Sequence, residues 1–172
     1  MRDDSMELKQ EAERLVHAYG QDVYRLCRMI LRDATLAQDA VQETFLRAYR
    51  FYGGIKKPES EKAWLLTIAV RTCRNMLRSP WKKYVDKSVQ VDELPLRAPD
   101  DESRGVLRAV LSLPPKLRAV TLLHYYYGFK ARQIGDMMHL PLGTVLTQLK
   151  RSREKLKIML TEGGETNEPG DQ

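Results

Sequence analysis

The stretch ARQIGDMMHLPLGTVLTQLKRSREKL, residues 131–156, holds two amphipathic segments on either side of a turn at His139-Leu140-Pro141. Gly135 places a residue without a side chain in the first segment, and Val145 follows ten residues later. That spacing suits a helix-turn-helix, in which two helices cross closely and an apolar residue of the second plugs the first. At 100° per residue, Leu142, Val145, Leu149, Ser152, Leu156 and Met159 share one side of the second segment. Thr144, Thr147, Arg151 and Glu154 fall opposite, flanked by Lys150. A helix of this kind can present hydroxyls, a lysine and an arginine to base edges in a major groove. Taken alone, a run like this is usually just a solvated, solubilising face.

Working outward, SRGVLRAVLSL (103–113) and PPKLRAVTLLHYYYGF (114–129) carry helical apolar spacing, with Pro114 suited to a helix start and Gly128 to a C-terminal cap. Tyr125, Tyr126 and Tyr127 would point three ways on a helix, which favours core and rim over a stacking platform. Upstream, SPWKKYVDKSVQVDELPLRAPDDES (79–103) has clustered acids, three prolines and no sustained period, and reads as a linker. Residues 7–79 return to helical spacing. The expected architecture is all-α, with two small helical domains on a tether: residues 1–80, a linker over 81–103, residues 104–160, and an acidic tail over 161–172.

The formal charge of +6 hides an asymmetry, because the tail carries four acids and no base and leaves residues 1–160 at +10. That surplus favours an anionic partner, nucleic acid before membrane. No apolar run approaches the ~20 residues a membrane span needs, and the polar start MRDDSMELKQEAE does not resemble a signal peptide. Cys27 and Cys73 are too few and too far apart for a disulfide framework or a zinc site, so a reduced, cytoplasmic protein is expected. His17, His124 and His139 lack metal-ligand spacing.

In the N-terminal half, QEAERLVHAYGQDVYRLCRMIL (10–31) gives one or two helices, with Gly20 a plausible break. In the next helix, 35–52, Ala37, Val41, Thr44, Phe45, Ala48 and Tyr52 form the expected core stripe. Asp39, Gln42, Glu43, Leu46 and Arg50 lie opposite, and an apolar Leu46 among polar residues suggests a docking patch for a partner protein. On the helix over 60–79, Trp64, Leu65, Ile68, Thr72 and Met76 form the expected buried side. Arg71, Arg74 and Arg78 line an edge with Asn75 and Thr67, a stripe able to follow a phosphate backbone. These faces leave open a stand-alone helix-turn-helix regulator and a helical adaptor that binds only proteins.

The order of parts resembles the extracytoplasmic-function (ECF) sigma factors of the bacterial sigma-70 family. AQDAVQETFLRAY (37–49) is similar to the family's core-polymerase-binding helix, WLLTIAVRTCRNMLR (64–78) to its melting and −10-reading helix, and residues 111–156 to its −35-reading domain. The resemblance implies a non-catalytic protein, without cofactor, metal or small-molecule substrate. It would bind core RNA polymerase and promoter DNA, and would be held by a cognate anti-sigma factor, in this family often membrane-anchored. It assigns Asp39, Gln42, Glu43 and Leu46 to polymerase binding. The loop 53–62, with Lys56 and Lys57, would capture a flipped −10 base, beside Trp64, Arg71, Arg74, Asn75 and Arg78. Thr147, Lys150 and Arg151 would face −35 bases, while Thr144, Arg153, Lys130 and Arg132 would contact phosphates. The chain departs from family habit at KARQIG, where acids are common, and at Gly135, His139, Arg71, Leu146 and Gln148.

Overall fold

The computed structural model describes residues 2–52, 61–79 and 100–162, all of them helical or in short connections. The chain divides into two compact units, Met1–Pro95 and Leu96–Gln172. No described helix is long and apolar enough to cross a membrane.

The first unit is three helices: α1 (Arg2–Leu31), α2 (Ala34–Phe51) and α3 (Glu61–Arg78), each packed on the other two. Helix α1 runs through Gly20 unbroken, the single-helix alternative of the two left open over 10–31. A glycine costs a helix interior only ~1 kcal/mol, and here Leu15 on one side of it and Val23 and Leu26 on the other are buried in the same core. The helix ends where Arg32 turns left-handed at φ 59°. Asp33 then caps α2, its carboxylate accepting the Leu36 N–H at 2.7 Å.

Small residues set how closely α2 approaches its neighbours. Its buried stripe is Ala37, Ala40, Thr44 and Ala48, so Val41 and Phe45 of the expected stripe stand half-exposed. On α3 the buried residues are Leu65, Leu66, Ala69, Val70, Thr72 and Cys73, while Trp64, Ile68 and Met76 are only half-buried. The expected face was one-sided, whereas α3 wedges between α1 and α2 and needs a wider apolar surface. Cys27 and Cys73, distant in sequence, meet in this core as free thiols. A hydrogen bond with Cys27 and then burial push the Cys73 thiol well above its ordinary value.

A polar cluster pins the three helices at one end. Glu61, in the first turn of α3, is buried and accepts from the Arg14 guanidinium at 2.6 Å and the Tyr19 hydroxyl at 3.3 Å. Tyr52, just past α2, donates to Glu11 at 2.5 Å. Hydrogen bonds with Glu11 and Glu61 hold the Arg14 guanidinium far above its ordinary value. Sequence reading had placed Glu61 in the capture loop; it is a structural anchor for the start of α3.

The second unit comprises α4 (Asp101–Ser112), α5 (Pro115–Thr121) continuing into a π-helical turn (Leu122–Tyr126), α6 (Ala131–Met138) and α7 (Leu142–Glu162). Helix α4 starts three residues before the expected boundary at 104. The acids read as linker are its N-terminal signal: Asp100 caps Ser103 N–H at 2.7 Å, and Asp101 and Glu102 lie in the first turn, where the helix dipole favours them. That bond lowers the Asp100 pKa. Helix α7 likewise extends through Glu162, two residues into the expected tail.

Arg118 is 4% exposed and closes the other end of α4, donating to the carbonyls of Leu111 at 3.0 Å and Leu113 at 2.9 Å. Those carbonyls lie at a helix end and have no intrahelical donor. Gly128, at φ 75°, ends the π turn, with Phe129 N–H reaching back to Leu123 O at 2.9 Å.

Candidate nucleic-acid interface

The turn between α6 and α7 is built by three residues. Leu140 N–H bonds to Gly135 O at 2.8 Å, and His139 bridges them in the left-handed conformation, φ 52° and ψ 49°. The chain thereby folds back on α6 so tightly that a Cβ on Gly135 would stand 2.7 Å from Leu140 O. Val145, fully buried, lies 3.8 Å from the same point. The close crossing expected from Gly135 and Val145 is present. The two departures at Gly135 and His139 belong to one device: the glycine admits the turn that the histidine completes.

This crossing fixes which side of α7 is free. Val145, Leu149 and Ser152 are buried, with Ser152 Oγ donating to Gln148 O at 2.9 Å. Thr147, Lys150, Arg151 and Arg153 are exposed and Thr144 is half-exposed. Lys130 and Arg132, at the start of α6, are exposed as well. Thr147 Oγ1 donates to Gly143 O at 2.8 Å, so its proton is used within the helix and the hydroxyl is left as an acceptor. Arg153 Nη1 donates to Tyr125 Oη at 3.2 Å, which holds the guanidinium near the π turn. Tyr125 and Tyr126 are 56% and 53% exposed, rim rather than core. The π turn brings Tyr125 to Arg153, a pairing no straight-helix wheel could have found.

In the first unit, α3 exposes Asn75 and Arg78 to solvent and Arg71 and Arg74 in part. Burial first, and Arg78 nearby second, push the Arg74 pKa down. A guanidinium stays charged regardless, so this edge carries cations of the kind that pairs with phosphate in forked, charge-assisted bonds. Trp64 stands half-buried at the margin, its ring 6.3 Å from that of Tyr52. Lys56 and Lys57, with most of the expected capture loop, lie outside the described residues.

A separate face of the first unit is apolar. Leu46 is 52% exposed and Val16 48% exposed, and with Phe45 and Tyr49 they wall an open groove of about 810 Å³ between α1 and α2. Asp39 and Gln42 are exposed nearby on α2, and Glu43 is ion-paired with Arg47 at 2.6 Å. Sequence reading identified the α2 side of this groove and missed Val16. An apolar residue among polar ones on 10–31 was the signal available, the same signal that marked Leu46.

The comparisons with known proteins follow the same two-part order. Residues 15–83 match the family described as Sigma-70 region 2, and residues 103–156 match Sigma-70, region 4. The ECF RNA polymerase sigma factor SigW of Bacillus subtilis is 30% identical over 166 residues, covering 86% of this chain and 88% of that protein. The ECF RNA polymerase sigma factor SigL of Mycobacterium tuberculosis is 31% identical over 168 residues, covering 91% and 94%. Among solved structures, the sigma factor RpoE of Bartonella quintana, in complex with the anti-sigma factor NepR, shares the fold. Its TM-score is 0.68 at 20% identity, over 90% of this chain and 97% of that one.

Proposed function

The chain belongs to the ECF sigma factors of the sigma-70 family, and from that premise we propose how its residues divide the family's work. It is a non-catalytic alternative sigma factor that directs RNA polymerase to promoters, with core polymerase and promoter DNA as its partners. In the proposed division, the α1–α2 groove with Asp39, Gln42, Glu43 and Leu46 docks on core polymerase. Trp64, Arg71, Arg74, Asn75 and Arg78 of α3, with Lys56 and Lys57 before it, engage the −10 element. Thr147, Lys150 and Arg151 read the −35 element, while Thr144, Arg153, Lys130 and Arg132 hold its phosphates. The proposed domains follow the sequence reading, except that the second runs from the Asp100 cap through Glu162 at the end of α7.

The observation that carries this division is a buried Val145–Gly135 crossing that turns the Thr147–Arg151 side of α7 outward. A stand-alone regulator would leave the exposed Leu46 face without a task. A protein-only adaptor would leave the arginine edge of α3 without one. The protein works in the cytoplasm, where promoters and polymerase are, and a cognate anti-sigma factor restrains it, as NepR is found with the Bartonella quintana RpoE.

The test is run-off transcription by core polymerase with the purified chain on a promoter library at low salt, without anti-sigma factor. The proposal expects start-site-specific RNA that is lost for Arg151→Ala with Lys150→Ala and for Leu46→Glu. Specific RNA unaffected by both variants would overturn the assignment of the two faces.

A further inference from the structure

The outward side of α7 is less polar than its basic residues suggest. Leu146 is 51% exposed, although the core positions beside it are already filled by Val145 and Leu149. An exposed leucine is unremarkable by itself. Here its position gives it meaning, because it lies in the first turns of α7, beside Thr147 and one turn before Lys150. In a helix-turn-helix these N-terminal residues of the second helix are the ones that meet base edges. Thr147 adds to the apolar character. Its hydroxyl proton is bound to Gly143 O, so beside an acceptor oxygen it presents a methyl group to a ligand.

In the major groove the bases display acceptors, amino donors and a single apolar group, the C5-methyl of thymine. An apolar tip at this place cannot satisfy an amino group or a carbonyl and leaves such a group desolvated. It gains only against a methyl. We propose that Leu146 and the Thr147 methyl together form a reading patch for the C5-methyl of a thymine in the −35 element. Lys150 and Arg151 then read the acceptors of neighbouring bases. The patch rests on the assignment of α7 as the −35 reader, and it adds Leu146 to that reading as a specificity-determining residue.

The experiment isolates the methyl group. Holoenzyme made from core polymerase and the full chain selects promoters from a library randomised through the upstream element. Each thymine of the selected −35 sequence is then replaced singly by deoxyuridine, which removes the methyl and nothing else. At one thymine, wild-type holoenzyme should lose about fourfold in affinity, the equivalent of one unburied methyl-sized group. That loss should vanish for Leu146→Ala and shrink for Thr147→Ser, which keeps the hydroxyl and lacks the methyl. Equal binding of thymine and deoxyuridine at every position would overturn the patch alone, as would a loss that persists in both variants. Selection with no upstream base preference would overturn the α7 reading and the patch with it.

Discussion

Gly135 and Leu140 approach so closely that a Cβ on the glycine would lie 2.7 Å from the leucine's carbonyl oxygen. The obstructing atom is backbone in a turn already closed by the 2.8 Å bond from Leu140 N–H to Gly135 O. Gly135→Ala gains ~1 kcal/mol of helix propensity and meets an overpacking cost of ~1–3 kcal/mol. The expected net effect is a loss of stability of the second unit and a lower urea midpoint. The companion change His139→Gly removes a left-handed strain of about 1 kcal/mol and should raise the midpoint.

Arg118 carries the end of α4 through two carbonyls. Arg118→Met keeps most of its length and removes both bonds from a site 4% exposed. Leaving buried carbonyls without donors should cost ~2–4 kcal/mol. Thermal unfolding followed by circular dichroism reads the change, and Arg118→Lys should recover only part of it, because an ammonium is more strongly hydrated than a guanidinium and costs more to bury.

Arg151 and Arg153 should behave differently although they are near neighbours on α7. Arg151→Ala should relax discrimination at one −35 position by ~1–3 kcal/mol, the worth of a bidentate base contact. Arg153→Ala should weaken all sequences alike and reduce the salt slope by about 1. Tyr125→Phe should do a fraction of the same, since the Tyr125 hydroxyl holds the Arg153 guanidinium at 3.2 Å. Binding of matched and mismatched promoters across a salt series separates the two effects.

Acid should loosen the first unit at its polar pin. Hydrogen bonds from Arg14 and then Tyr52 lower the Glu11 carboxyl below its ordinary 4.5. A depressed carboxyl contributes stability that is present above the ordinary value and is lost as pH falls through the lowered one. Unfolding midpoints should therefore drop as pH falls below 4.5. Glu11→Gln should lower the midpoint at neutral pH and flatten that part of the profile.

The helices and the helix-turn-helix were legible because apolar period and the Gly135–Val145 spacing act locally. What escaped the sequence depends on neighbours that periodicity does not reveal. Gly20 left one helix or two open over 10–31, and the core contacts of Leu15 and Val23 outweigh its propensity and give one. Trp64 and Ile68 read as core because a wheel assumes one neighbour, whereas α3 has two. Arg118 is charged, which apolar spacing leaves out of a core, yet it is buried to satisfy carbonyls of another helix. Asp100, Asp101 and Glu102 read as linker because clustered acids suit both a disordered segment and the positive end of a helix; the Ser103 cap bond distinguishes the two. The meeting of Cys27 with Cys73, and Val16 joining the Leu46 groove, required knowing that α1 crosses both other helices of its unit.

The central claim, that the groove of α2 meets polymerase while the free side of α7 meets the −35 element, is tested most directly by site-specific photocrosslinking. A benzophenone side chain is placed at position 46 in one preparation and at position 151 in another, each in full holoenzyme on promoter DNA. The account predicts crosslinks from position 46 to a polymerase subunit and from position 151 to promoter DNA at the −35 element. Crosslinks from position 151 to polymerase alone, or from position 46 to DNA, would contradict it.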